Sequence, residues 1–400
     1  MNFLAKENIY FINSASKLLG SGIISSIGII LFSSNTIKFI DLNIVIDLLI
    51  IIQIHSIGLT ITKLSFDTIS YSYFLNNKNS RPKIKKFLYK KTLILAIPIL
   101  IFAVYRFNFS IGIFIFINVI LDQFSNLVIN QLNYRHLFNK AFILNLLSYP
   151  LFFLTIILVS YYFKFNLEYY VVIFFICLVF KFMLSNYYYN RIYYTEDIDL
   201  VPNWNMGIQQ IFNYFLFKSD TIIISLPLVF ITTLNIDKSE ILEIFYLSRF
   251  PELVSGLTLA LSVLYYPRYI FNNGSEFLNK IKLKDFLFYL FFLILFFLIF
   301  LLFWKQSLNL KIHNIIFYFF NGFFVLFCNL ITFNLIKMGK YKLLITNLLI
   351  SCVFGIISLF FLKIFNLTFY FAIVPIQMMV FIFYFLFNNK LNLNKVKSYV

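Results

Sequence analysis

The chain has 400 residues, 61% of them hydrophobic and 12% charged, a balance that leaves a water-soluble fold too little polar surface to cover itself. No connection between apolar stretches runs much beyond about 30 residues, which excludes a separate catalytic, nucleotide-binding or nucleic-acid-binding domain. The net charge of +17 therefore points to anionic lipid head groups as partners, not to nucleic acid.

About a dozen stretches of roughly 20 apolar residues fill the chain, each long enough to cross a bilayer core as a helix, so the expected fold class is an all-α polytopic membrane protein. The first span, near residues 9–33, is read as uncleaved because no short apolar core leads to an A-x-A site. It places Asn13, Lys17 and Ser21 at every fourth position and hence on one face. The second, near 40–62, contains Asp47 and His55. His55 is open to two readings, a titrating group in proton coupling or a hydrogen-bonding partner for a neighbouring helix.

Spans follow near 92–108 and 111–132, the latter with Asn118, Asp122, Ser125 and Asn126 on one face, and then near 141–163 and 169–190. The segment Arg191 to Trp204 (RIYYTEDIDLVPNW) reads as a linker, dividing a first six-span half (1–190) from a second (205–400). Six more spans are expected near 205–230, 241–265, 285–304, 314–336, 343–362 and 366–388.

In the seventh span Gln209, Asn213 and Asp220 fall within a narrow sector while Lys218 points nearly opposite. Arg249 and Glu252 in the eighth are three apart, close enough to pair, with Pro251 between them. A charge at the centre of a membrane helix costs about 2.5–3.5 kcal/mol on insertion scales, so such residues face a partner or a path. The competing reading for the Asn and Ser positions is plain helix-to-helix bonding, worth about 0.6 kcal/mol each.

Lys and Arg concentrate in every second connection: Lys78 to Lys91, Arg135 and Lys140, Arg268 to Lys284, Lys337 to Lys342 and the C-terminal lysines. This predicts a multi-pass protein with both termini cytoplasmic. Cys177, Cys328 and Cys352 lie within apolar stretches, so neither disulfides nor a metal are expected, and no cofactor motif occurs. The 56 Phe mark no aromatic box, because lipid contact tolerates any large apolar side chain.

Three stretches carry a family resemblance. INSASKLLGSGIISSIGIILF (Ile12 to Phe32) looks like an opening helix with an early Asn and Lys. GIQQIFNYFLFKSDTIIIS (Gly207 to Ser225) has an Asp, Asp220, before an Ile-rich run. FYLSRFPELVSGLTLALSVLYYPRY (Phe245 to Tyr269) opens near Tyr246 and ends at Pro267. With the twelve expected spans, they resemble the O-antigen and polysaccharide flippases (Wzx-like) of the multidrug/oligosaccharidyl-lipid/polysaccharide exporter superfamily. A glycine-bearing motif common after that family's first helix is absent from SSNTIKFIDLN (Ser33 to Asn43).

The resemblance implies two six-helix lobes (MATE-like) that open alternately to each side of the inner membrane and move an undecaprenyl-pyrophosphate-linked oligosaccharide outward for surface polysaccharide assembly. It also implies other polysaccharide-assembly membrane proteins as partners. On this reading Lys17, Lys218 and Arg249 bind substrate, while Asp220, Glu252, Asp122 and His55 serve coupling or gating. A multidrug or small-cation antiporter of the same superfamily shares the topology. A multispanning polymerase or glycosyltransferase is the enzyme alternative, and the absence of a long external loop weighs against it.

Overall fold

The computed structural model describes residues 40–63, 80–82, 91–135, 137–191, 196–198, 312–337, 340–364 and 373–397, with isolated positions between 208 and 298. The chain divides into two units, Met1–Gln210 and Ile211–Val400.

The first unit holds α1 (Leu42–Lys63), α2 (Leu93–Arg106), α3 (Phe109–Tyr134), α4 (Phe138–Leu146), α5 (Tyr149–Tyr162) and α6 (Leu167–Arg191). Helix α3 is its hub, packing against α1, α2, α4 and α6. Small residues set how closely these helices approach. A Cβ added at Gly112 on α3 would lie 2.4 Å from Val104 Cγ2 of α2, and one at Gly58 on α1 would lie 2.7 Å from Val119 Cγ2 of α3.

Both faces of these helices are apolar. On α2, Ala96, Ile99 and Ala103 are buried while Ile94 and Ile101 stand outward, Ile101 at 65% exposure. Helix α6 inverts the soluble pattern outright: Phe180 is 58% exposed and the adjacent Lys181 only 2%. Water would not favour that arrangement, whereas a hydrocarbon surround does. Hydroxyls are largely satisfied within their own helices, as in Ser56 Oγ to Ile52 O, Thr62 Oγ1 to Gly58 O and Ser125 Oγ to Leu121 O, a device suited to surroundings with no water to bond.

Among the described residues four segments are long and apolar enough to cross a membrane: Leu42–Lys63, Phe109–Asn133, Phe138–Tyr162 and Leu167–Arg191. The third departs from the expected single helix near 141–163. It starts earlier and is broken into α4 and α5 at Leu147 and Ser148. The cause is Pro150, which has no N–H for the carbonyl of Leu146 and whose ring would strike it, so the ladder stops and restarts.

The connections sort to two ends. At one, Ser80–Pro82 (β1) and Glu196–Ile198 (β2) pair as parallel strands, Ser80 opposite Glu196, so the connections after α1 and after α6 lie on the same side. Lys140 at the start of α4 sits over the Tyr188 ring near the end of α6, 5.4 Å away, at that same end. At the other end Asn108 caps α3 through Ile111 N and donates to Glu168 Oε1 of α6 at 3.0 Å.

In the second unit α7 (Ile312–Lys337), α8 (Tyr341–Ile364) and α9 (Ile373–Lys397) pack on one another. Gly355 of α8 abuts the Gln377 side chain of α9, and Gly322 of α7 abuts the Phe250 ring. Shorter apolar stretches lie within each of these helices, at 314–329, 342–358 and 374–388.

Candidate functional site

In the first unit, helices α1, α3, α5 and α6 bring ionisable and polar side chains together. His55 stands near the middle of α1, Asp122 near the middle of α3 and Lys181 near the middle of α6. Tyr149 opens α5 and lies midway along the Phe138–Tyr162 segment. The cluster therefore sits at mid-depth of four apolar segments, furthest from water at either end.

Lys181 Nζ donates to Asp122 Oδ1 at 2.5 Å and to Asn126 Oδ1 at 3.2 Å. Asp122 and Asn126 are one turn apart on α3, so a single ammonium reaches both. On the other side of the carboxylate, His55 Nε2 stands 3.7 Å from Asp122 Oδ2, within ion-pair range, and makes no hydrogen bond. His55 Nδ1 lies 2.8 Å from the Tyr149 hydroxyl, which is 3.3 Å from Ser56 Oγ. A continuous polar line thus runs Ser56, Tyr149, His55, Asp122, Lys181, Asn126.

Its walls are aromatic. Phe174 of α6 meets the His55 ring edge-on at 5.2 Å and stacks on Tyr149 at 5.6 Å. His55 is fully buried, and Asp122 and Lys181 are each 2% exposed. Burying both charges costs several kcal/mol, offset only by close pairing and further hydrogen bonds, which the geometry supplies. Asn118, one turn before Asp122, is also buried, and neither of its side-chain amide atoms is hydrogen-bonded.

No family model fits the sequence, and no curated protein or solved structure matches it.

Of the residues singled out in the sequence, the structure brings His55 and Asp122 together. Lys17, Lys218, Asp220, Arg249 and Glu252 lie outside the described residues. Both readings of His55 keep their footing, since it bonds a neighbouring helix and also stands beside a carboxylate.

Sequence reasoning missed Lys181 and Tyr149. Lys181 did carry a signal, being a lone ammonium between Phe180 and Phe182 in the middle of an apolar stretch. Tyr149 carried none, because only the break before Pro150 turns it toward α1. Among the described residues no three His, Cys, Asp or Glu side chains converge to hold a metal, and Cys177, Cys328 and Cys352 are free thiols.

Proposed function

We propose that the chain is a multispanning transporter of the inner membrane, an O-antigen or polysaccharide flippase carrying lipid-linked oligosaccharide outward by alternating access between two lobes. Transport is supported above all by the His55, Asp122 and Lys181 cluster, buried at mid-depth of three apolar segments and joined at Tyr149 to a fourth, broken one. Ionisable groups at such depth are expensive and mark ion or substrate pathways. Interrupted helices are likewise where membrane transporters place polar machinery.

The substrate class rests on the resemblance of Ile12 to Phe32, Gly207 to Ser225 and Phe245 to Tyr269. In this reading Lys17, Lys218 and Arg249 meet the pyrophosphate or acidic sugars. Asp122 and His55, with Lys181 now added, couple and gate, together with Asp220 and Glu252.

Asp122 gives the antiporter reading its foothold, since a cation exporter needs a buried carboxylate. Here that carboxylate is already held by Lys181, which favours the flippase.

Reconstitution decides between them. Proteoliposomes carrying a fluorescent pyrophosphate-linked oligosaccharide should expose it on the opposite leaflet faster than protein-free liposomes, and Asp122→Asn/Lys181→Met should abolish the difference. Flipping at the protein-free rate, with uptake of an organic cation, would replace this reading by the antiporter.

A further inference from the structure

We propose that the outward faces of α2, α5 and α6 are the lipid-facing wall of the first unit, with tyrosines and cations at its two ends marking where acyl chains give way to phospholipid head groups. This goes beyond the transport reading and does not depend on it.

The pattern is clearest on α6. Its exposed residues in mid-helix are Ile176, Phe180 and Met183, and in line with them stand Tyr169 at one end and Tyr187 at the other. At about 3.6 residues per turn all five fall on one stripe. From Tyr169 to Tyr187 the helix rises about 27 Å at about 1.5 Å per residue, close to the roughly 30 Å hydrocarbon core of a bilayer. Lys181, the charged residue between those tyrosines, is turned inward to Asp122.

The neighbouring helices repeat the arrangement. On α2 the outward residues Ile94, Ile97 and Ile101 lead to Tyr105, which is 79% exposed; on α5 Leu154 and Leu158 lead to Tyr161 and Tyr162, the latter 74% exposed. Tyr105, Tyr161, Tyr162 and Tyr169 all lie at the end of the unit where Asn108 donates to Glu168, opposite the end of β1 and β2. Three helices thus bring exposed phenols to one end. Exposed cations are likewise terminal: Arg106 adjoins Tyr105, Lys164 follows Tyr162, and at the far end the Arg191 guanidinium lies 4.3 Å over the Tyr187 ring.

Tyrosine with a nearby cation suits the head-group region, because the ring lies among acyl chains while the hydroxyl and the charge reach water and phosphate. A second copy of the chain would also cover an apolar stripe, yet it calls for neither phenols at both ends nor a spacing close to a hydrocarbon core. An aqueous path calls for polar side chains, and in this unit the half-buried line of Asn126, Asn130 and Asn133 belongs to α3.

The test uses the full chain in phosphatidylcholine liposomes, with Trp204→Phe and Trp304→Phe as background and one tryptophan introduced at a time. Lipid brominated near the chain ends should quench Phe180→Trp about twofold more than lipid brominated near the head group, and the order should reverse for Tyr105→Trp, Tyr162→Trp and Tyr187→Trp. A Phe180→Trp protein that escapes both lipids, whether aqueous acrylamide quenches it or not, overturns the proposal, since the face then meets water or protein. The same quenching order at all four positions overturns it too.

Should the background not fold, the unsubstituted chain decides. Its Tm should peak in lipids with a hydrocarbon thickness of about 27 Å and fall in both thinner and thicker bilayers, and a Tm indifferent to thickness overturns the proposal. Neither measurement involves substrate, so failure here leaves the transport reading standing.

Discussion

Replacing Lys181 by Met keeps the length of the side chain and deletes the ammonium. Asp122 is then left 2% exposed with its Oδ1 unpartnered and its remaining ionisable neighbour, His55, 3.7 Å away and not hydrogen-bonded. Removing one partner of a buried pair costs about 3–5 kcal/mol, because the charge left behind has neither water nor a counter-ion. For a unit of about 200 residues each kcal/mol moves Tm by roughly 2–4 °C, so Lys181→Met should lower it by about 6–20 °C.

Asp122→Asn should be damaging for the converse reason, since it strands the ammonium. The double variant Asp122→Asn/Lys181→Met buries neither charge and should fall within about 1–2 kcal/mol of wild type, giving a large positive coupling in the double-mutant cycle. The assay is thermal unfolding in detergent micelles, read by intrinsic fluorescence and by retention of monodispersity. A Lys181→Met protein as stable as wild type, or a double variant less stable than either single one, would show that the two side chains do not depend on each other.

Packing and topology give further expectations. Gly112→Ala should destabilise by about 1–3 kcal/mol in the same assay, because the added methyl meets both the side chain and, at 3.0 Å, the backbone nitrogen of Val104 and pushes α2 off α3. With the native cysteines replaced, a thiol at Ser80 should resist an impermeant reagent applied to intact cells while one at Glu168, exposed at the opposite end of the unit, should react. Labelling of both from outside would contradict the alternation of connections. Arg249→Lys keeps the charge and loses the planar fork that grips phosphate oxygens, so flipping should fall at unchanged membrane levels. Full activity in Arg249→Ala would remove Arg249 from the substrate site.

Hydropathy alone located four of the described helices of the first unit to within a few residues, while the span expected near 9–33 lies outside the described residues. The expected spans near 40–62, 92–108, 111–132 and 169–190 correspond to α1, α2, α3 and α6, because in hydrocarbon the backbone must bond to itself and a long apolar run has little alternative to a helix. The face carrying Asn118, Asp122, Ser125 and Asn126 was likewise legible, since helical spacing fixes which residues stack; the first three are buried and Asn126 is half-buried.

What tertiary structure decided was who meets whom. Spacing along α3 says that Asp122 must find a partner and is silent on whether that partner lies on α1, α6 or elsewhere, because helix neighbours follow from packing and not from sequence distance. Lys181 lies 59 residues from Asp122, and Tyr149 lies 94 from His55. Pro150 was visible in the sequence as a weak point, but prolines also sit in membrane helices that merely bend. Only the packed structure shows the break becoming complete at Leu147 and Ser148 and turning the Tyr149 hydroxyl onto the imidazole. The inventory of charges belongs to the sequence, and the pairing that makes them tolerable at mid-depth belongs to the fold.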